Sequence, residues 1–238
     1  MKTEGKNAVT ELLKTDKTIE KILLEKNAQG SLGRIFAQAR EKGVRVQFVD
    51  KRVLDKESES GRHQGCIAFS SDYKYCSLQD IMGCKGENGG FIILCDCIED
   101  VHNLGSVIRV AECAGADGVV IQSTNSASVT EAVVRISAGA ANHVKVAKVN
   151  SLNRAVDELK KNGYWLYALE ADGDDIYKAD FKGNVALVIG GEDSGVKKLT
   201  REKCDFVVSL PMHGKVNSLN ASVALGVAAY EVLRCRRG

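Results

Sequence analysis

Three short segments of this 238-residue chain concentrate the side chains that could do chemistry. The first, Asp96-Cys97-Ile98-Glu99-Asp100-Val101-His102-Asn103-Leu104-Gly105-Ser106-Val107-Ile108-Arg109, sets an amide and a guanidinium near the start of one predicted helix. The second, Ile189-Gly190-Gly191-Glu192-Asp193-Ser194-Gly195, is a glycine-rich turn carrying two carboxylates. The third, Leu210-Pro211-Met212-His213-Gly214-Lys215-Val216-Asn217-Ser218-Leu219-Asn220-Ala221-Ser222, places hydroxyls and amides after a lone proline. The glycine-rich turn mimics a phosphate cradle, but it lacks the G-x-G-x-x-G pattern, and Val196 stands where a P-loop lysine would follow Gly195. Glu192 and Asp193 would repel a pyrophosphate, so the turn suits a cationic or zwitterionic ligand, or is simply an acidic surface turn. Singly, the other residues also have plain readings. Asn103 is expected to cap the helix Leu104–Ala114 and Ser218 the final helix, while Arg109 and Glu112 have the spacing of an exposed helical pair.

The elements that must position these segments follow from hydrophobic period. Phe91–Cys95, Gly118–Gln122, Val144–Val149, Trp165–Leu169 and Val185–Ile189 read as short buried strands. They alternate with helices over Leu104–Ala114, Ser128–Ala138 and Ser151–Asn162. Apolar strands alternating with helices give an α/β fold with a mostly parallel sheet covered on both faces, and ligands bind at the carboxyl ends of such strands. All three segments follow predicted strands. Pro211 fixes φ at a strand exit, and the small residues Ala221, Ala224, Leu225, Ala228 and Ala229 predict a buried final helix, possible contact surface for another subunit. Upstream, Leu32, Ile35, Phe36 and Ala39 have helical spacing, Val44, Val46 and Phe48 alternate as a strand, and Gly65–Phe69 reads as another. These predict a smaller α/β unit. Four glycines within Gly83–Gly90 mark the linker, so the expected domains are 1–76, a linker over 77–90, and 91–238.

Composition sets the outer bounds. With 44% hydrophobic and 27% charged residues, the chain can bury a core, and no run approaches a membrane span or signal peptide, so a cytoplasmic protein is expected. Eight cysteines without a Cys-x-x-Cys pair, and four scattered histidines, argue against zinc and for reduced thiols. A net charge of +2 permits nucleic-acid binding without demanding it.

Together, in order, the three segments resemble the motifs of the SpoU (TrmH-like) group of SPOUT RNA methyltransferases. Asn103, Gly105 and Arg109 are similar to the first motif, Gly190–Gly195 to the Gly-x-Glu-x-x-Gly of the second, and Leu210-Pro211-Met212 with Ser218–Ser222 to the third. The N-terminal residues, including Gly5-Lys6-Asn7-Ala8-Val9 and His63-Gln64-Gly65, with Leu199–Asp205, look like the subgroup that modifies a guanosine of 23S rRNA. The family carries Pro where this chain has Val101. The resemblance implies an α/β SPOUT domain with a deep trefoil knot, a small ribosomal-protein-like RNA-binding domain over 1–76, and a homodimer. It implies 2′-O-methylation of ribose with S-adenosylmethionine held around Gly190, Leu210 and Leu219, with Ile189, Gly195 and Met212 alongside. It implies Arg109 as the cation at the developing alkoxide, oriented with the ribose by Asn103, Glu192, Ser218 and Asn220. Arg34, Arg45, Arg52 and Arg62 are the expected RNA contacts, although solvated charge alone accounts for such residues. Alternatives are methylation of tRNA, or a silent RNA-binding ribosome-assembly factor. No metal and no membrane are expected.

Overall fold

The computed structural model describes residues 1–15, 17–26, 30–192, 194–215 and 218–237. Two compact units divide the chain, Met1–Lys74 and Tyr75–Gly238. In the first, β1 (Lys2–Glu4), β2 (Thr18–Glu25), β3 (Val46–Val49) and β4 (Cys66–Ser71) form a sheet in the order β1-β4-β2-β3. Strand alternation assigns its two faces. Ile22 and Leu24 of β2 pack with Ile35 and Ala39 under α1 (Lys6–Lys14) and α2 (Ser31–Glu41), whereas Leu23 faces the other way onto Leu54 of α3 (Lys51–Glu57). The opening β1-α1-β2 stretch and α3 were not read from the sequence.

The second unit is the expected α/β layer structure. Its sheet has the order β10-β8-β9-β5-β6-β7, all neighbours parallel, built from β5 (Phe91–Asp96), β6 (Gly118–Gln122), β7 (Lys145–Val149), β8 (Trp165–Asp175), β9 (Val185–Gly190) and β10 (Phe206–Ser209). β5 and β9, the central pair, are buried at every position, as unbroken apolar strands require. Residues 77–90, read from their glycines as a linker, begin with α4 (Leu78–Met82), closed at its start by a Ser77/Asp80 capping box and burying Leu78 and Ile81 in the sheet's core. The helices α5 (Val101–Cys113), α6 (Glu131–Ile136), α7 (Leu152–Lys161), α8 (Lys198–Lys203) and α9 (Ala221–Arg237) complete the unit.

Two boundaries depart from the reading above in ways that matter for the site. α5 starts at Val101 rather than Leu104, because the Asp100 carboxylate accepts the N–H groups of His102 and Asn103 at 2.8 and 2.9 Å and takes the cap. Val101 is therefore the first helical residue, a position where a proline fits without losing a bond. β8 runs on to Asp175 and breaks its ladder with β10: Val207 pairs with Ala168, but Val208 pairs with Asp174. Residues 169–173 arc out of the pairing between those two registers. All eight cysteines are free thiols, and among the described residues no helix is long and apolar enough to cross a membrane.

Candidate active site

The turn that carries Glu192 is fixed from both neighbouring strands. On the β5 side, the backbone carbonyl of Asp96 accepts the Gly191 N–H at 3.1 Å, and its fully buried carboxylate accepts the Lys197 N–H at 2.9 Å and Gln122 Nε2 at 3.3 Å. On the β8 side, the Glu170 carboxylate accepts the Val196 N–H. Gly195 donates to the Gly191 carbonyl at 2.9 Å and closes the turn. The closure needs glycine at both ends. Gly195 has φ +59°, and a Cβ at Gly190 would lie 1.8 Å from the carbonyl carbon of Gly195. Asp193, the second carboxylate of this turn, and Val216 and Asn217 of the third segment lie outside the described residues.

Three side chains from the three segments meet at this turn. Asn103, in the first turn of α5 and buried, donates from Nδ2 to Glu192 Oε1 at 3.0 Å. Asn220 Nδ2 donates to Asn103 Oδ1 at 2.9 Å and to Glu192 Oε1 at 2.5 Å. The other end of the Asn220 amide caps α9, its Oδ1 accepting the N–H groups of Ser222 and Val223 at 3.0 and 3.3 Å. Asn220, not Ser218, is thus the cap, and the helix begins two residues later than a Ser218 cap would place it. Among the described residues Glu192 Oε2 has no hydrogen-bond partner, which leaves it an acceptor for a bound hydroxyl.

Beside this cluster opens a cavity of about 430 Å³. Ile189, Gly190, Gly195, Leu210, Met212 and Leu219 all line it, together with Glu192, Ser218 and Asn220. Leu169, Glu170 and Ala171 also line it and were not read from the sequence. They come from the arc 169–173. The only signal for them is the acidic run Glu170-Ala171-Asp172-Gly173-Asp174-Asp175, where strand alternation stops. Asp96 was likewise missed as a support, although a carboxylate ending the apolar run Phe91–Cys95 is its signature. No cysteine is among the described lining residues, and burial pushes the Cys95 thiol up to about 12 and also raises that of Cys97.

Arg109 is placed elsewhere. It is exposed on α5, makes no hydrogen bond or ion pair among the described residues, and does not line the cavity. Six residues beyond Asn103 is about 9 Å along a helix and about 240° around it, so within one chain the two side chains point to different sides. Asn103, Glu192 and Asn220 orient one another rather than Arg109. The four first-unit arginines expected to contact RNA are also dispersed. Arg34 and Arg52 are exposed on α2 and α3, which cover opposite faces of the sheet, Arg62 is exposed in the turn before β4, and Arg45 is half-buried before β3.

Comparison with known proteins gives the family. Residues 90–230 match the SpoU rRNA Methylase family, and residues 3–76 match the RNA 2'-O ribose methyltransferase substrate binding family. The Bacillus subtilis protein YacO, named as a TrmH family tRNA/rRNA methyltransferase, is 41% identical over 237 residues, covering 98% of this chain and 94% of YacO. A Staphylococcus aureus protein named for the same family is 38% identical over 238 residues, covering 98% and 95%. The fold is shared with the SpoU methyltransferase AviRb of Streptomyces viridochromogenes in complex with AdoMet (TM-score 0.64, 22% identity, 100% and 90% covered). It is shared too with an AdoMet-bound rRNA methyltransferase of Sinorhizobium meliloti (TM-score 0.62, 22% identity, 98% and 86% covered). The chain belongs to the SpoU rRNA methylase family and is an RNA methyltransferase. The methyl donor of that family is S-adenosylmethionine.

Proposed function

We propose that this protein methylates a ribose 2′-hydroxyl of RNA, on a guanosine of 23S rRNA, with S-adenosylmethionine seated in the cavity beside Glu192. The observation that carries the reading is the Glu192–Asn103–Asn220 cluster on the rim of that cavity. The cavity fits the donor chemically: among its described lining residues none is basic and two are carboxylates, which suits a sulfonium and not a phosphate. When bound, the donor supplies an electrophilic methyl group.

The chain's own residues do the rest. Backbone around Gly190, Leu210 and Leu219, with Ile189, Gly195 and Met212, encloses the donor. Glu192 Oε2, Ser218 and the two asparagines hold the ribose so that its oxygen faces the methyl, which converts an encounter into an oriented attack. Arg109 is the cation for the developing alkoxide and the adjacent phosphate, with proton removal assisted by that phosphate or water. It reaches a site only from a second copy. Val223, Val227 and Tyr230, at i, i+4 and i+7 of α9, are 52%, 38% and 53% exposed, and α9 packs beside α5. An apolar stripe on a helix packed against the one that carries an arginine unpaired among the described residues is the surface a homodimer would bury. The deep trefoil knot of the SPOUT fold belongs to the same reading, supported by the convergence of the turns after β9 and β10 on one cavity. The first unit, 1–74, is assigned to RNA recognition, and the second, 75–238, whose α4 packs in the sheet's core, to methyl transfer.

Mapping 2′-O-methylation in total RNA from cells with and without this protein tests the substrate. A single 23S guanosine should lose its methyl group. Unchanged rRNA with one tRNA position unmethylated would replace the rRNA assignment with the tRNA reading that the relatives' names also allow.

A further inference from the structure

We infer that Glu170 makes the cavity selective by charge, favouring the sulfonium donor over the neutral thioether product. The inference rests on the cavity being the donor site. The placement of Glu170 is built, not incidental. It rides on the arc 169–173, which leaves the β8/β10 ladder after Ala168 and rejoins it at Asp174. The return is anchored: Ser209 Oγ donates to the Gly173 carbonyl at 2.7 Å, and a Cβ at Gly173 would lie 2.6 Å from the carbonyl carbon of Val208. At the arc's crest the carboxylate accepts the Val196 N–H, and a Cβ at Gly195 would come within 2.7 Å of its Oε1. The side chain is therefore held against the cavity wall by that bond.

Holding the turn does not require a negative charge, because a glutamine carbonyl could accept the same N–H. The charge is what remains to be explained, and the cavity supplies a use. Glu170 and Glu192 are the charged groups among its described lining residues. Glu192 holds one oxygen on the amides of Asn103 and Asn220 and offers the other to the ribose, whereas Glu170 receives one backbone N–H and faces the cavity without another assigned part. Donor and product differ by one methyl group and the positive charge it brings, so shape contacts cancel in their ratio and the field of a nearby carboxylate does not. At a separation of about 6 Å and an effective dielectric of about 40, one such charge changes the ratio by roughly three- to tenfold.

Equilibrium binding of S-adenosylmethionine and S-adenosylhomocysteine to the full chain and to Glu170→Gln tests this. The variant keeps the acceptor for Val196 and loses only the charge. Donor affinity should fall by about three- to tenfold and product affinity by less than twofold; equal losses, or none, overturn the inference. In the unmodified protein the donor-to-product preference should shrink as salt rises, and a salt-independent preference would also overturn it. Ala171→Trp, at the exposed rim, separates the two levels. If it abolishes binding of both ligands while Glu170→Gln leaves their ratio unchanged, the cavity is the donor site and the charge argument alone fails. If Ala171→Trp binds both ligands normally, the location of the donor site fails, and this inference with it.

Discussion

Two surface turns of this chain are held by carboxylates, and they are held in opposite ways. In the first unit, the turn before β4 gathers on Glu4, whose carboxylate accepts from Ser58 Oγ and the Glu59 N–H at 2.6 Å each and from Ser60 Oγ. The Ser58 hydroxyl first, then that of Ser60, holds the Glu4 carboxyl down at about 2. The same turn is finished by the buried His63, whose Nδ1 accepts the Gly65 N–H at 3.0 Å while Nε2 meets Asp55 at 2.9 Å. In the second unit, the turn 190–197 leans on Asp96, a carboxylate with no exposed surface. A solvent-side carboxylate competes with water for every bond it makes. A buried one leaves its donors with nothing when it is removed. The turn that presents Arg62 can therefore be loosened by the medium, whereas the turn that presents Glu192 is fixed by the interior.

That contrast can be broken in order of expected effect. Asn103→Ala removes the bridge between Glu192 and Asn220, and single-turnover methyl transfer should fall by about 10²–10³ while the donor still binds. Unchanged turnover would show that the interior support serves no reacting group. Asp96→Ala should cost the second unit about 2–4 kcal/mol in denaturant unfolding, because the Lys197 N–H and Gln122 amide lose their acceptor in a dry site. Gly173→Ala forces a methyl into the β10 backbone, and a loss of about 1–3 kcal/mol is expected from melting curves.

Acid should act on the other turn. Glu4 is depressed from 4.5 to about 2 in the folded chain, so its contribution is complete above 4.5 and fades as pH falls toward 2. Amide exchange of residues 58–65 should accelerate over that interval before exchange at 190–197 does. Simultaneous acceleration would erase the distinction. The smallest effect sharpens the picture: Val101→Pro restores the family residue at the first helical position and should stabilise the second unit by about 0.4–1 kcal/mol with transfer unaffected, since Asp100 already sets that turn.

Much of this was legible in the residues, for identifiable reasons. Strands β5 and β9 are almost wholly apolar, so their run length alone announces them, whereas the cavity residues Ile189, Gly190, Gly195, Leu210, Met212 and Leu219 were reached through the resemblance to the family's motifs. The caps were misassigned because Asp100 and Asn103 can each cap a helix, as can Ser218 and Asn220. At α5 the Asn103 side chain is turned to Glu192, 89 residues on, and Asp100 takes the cap; at α9 the Asn220 amide does both, Nδ2 on Glu192 and Oδ1 on the helix start. Arg109 was different, since its rotation away from Asn103 follows from helical period alone and was available from the start. The arc 169–173 was not, because a strand reveals where it leaves its ladder only once its partner, β10, is known.

Because that arc leaves the β8/β10 ladder after Ala168 and rejoins it at Asp174, its middle residues are outside that ladder. Ala171 and Asp172, exposed between the anchored Glu170 and Gly173, can be changed without breaking either anchor. Remaking those few positions is the route by which the molecule could come to accept donors with bulkier alkyl groups, and so to tag RNA with ethyl or propargyl in place of methyl.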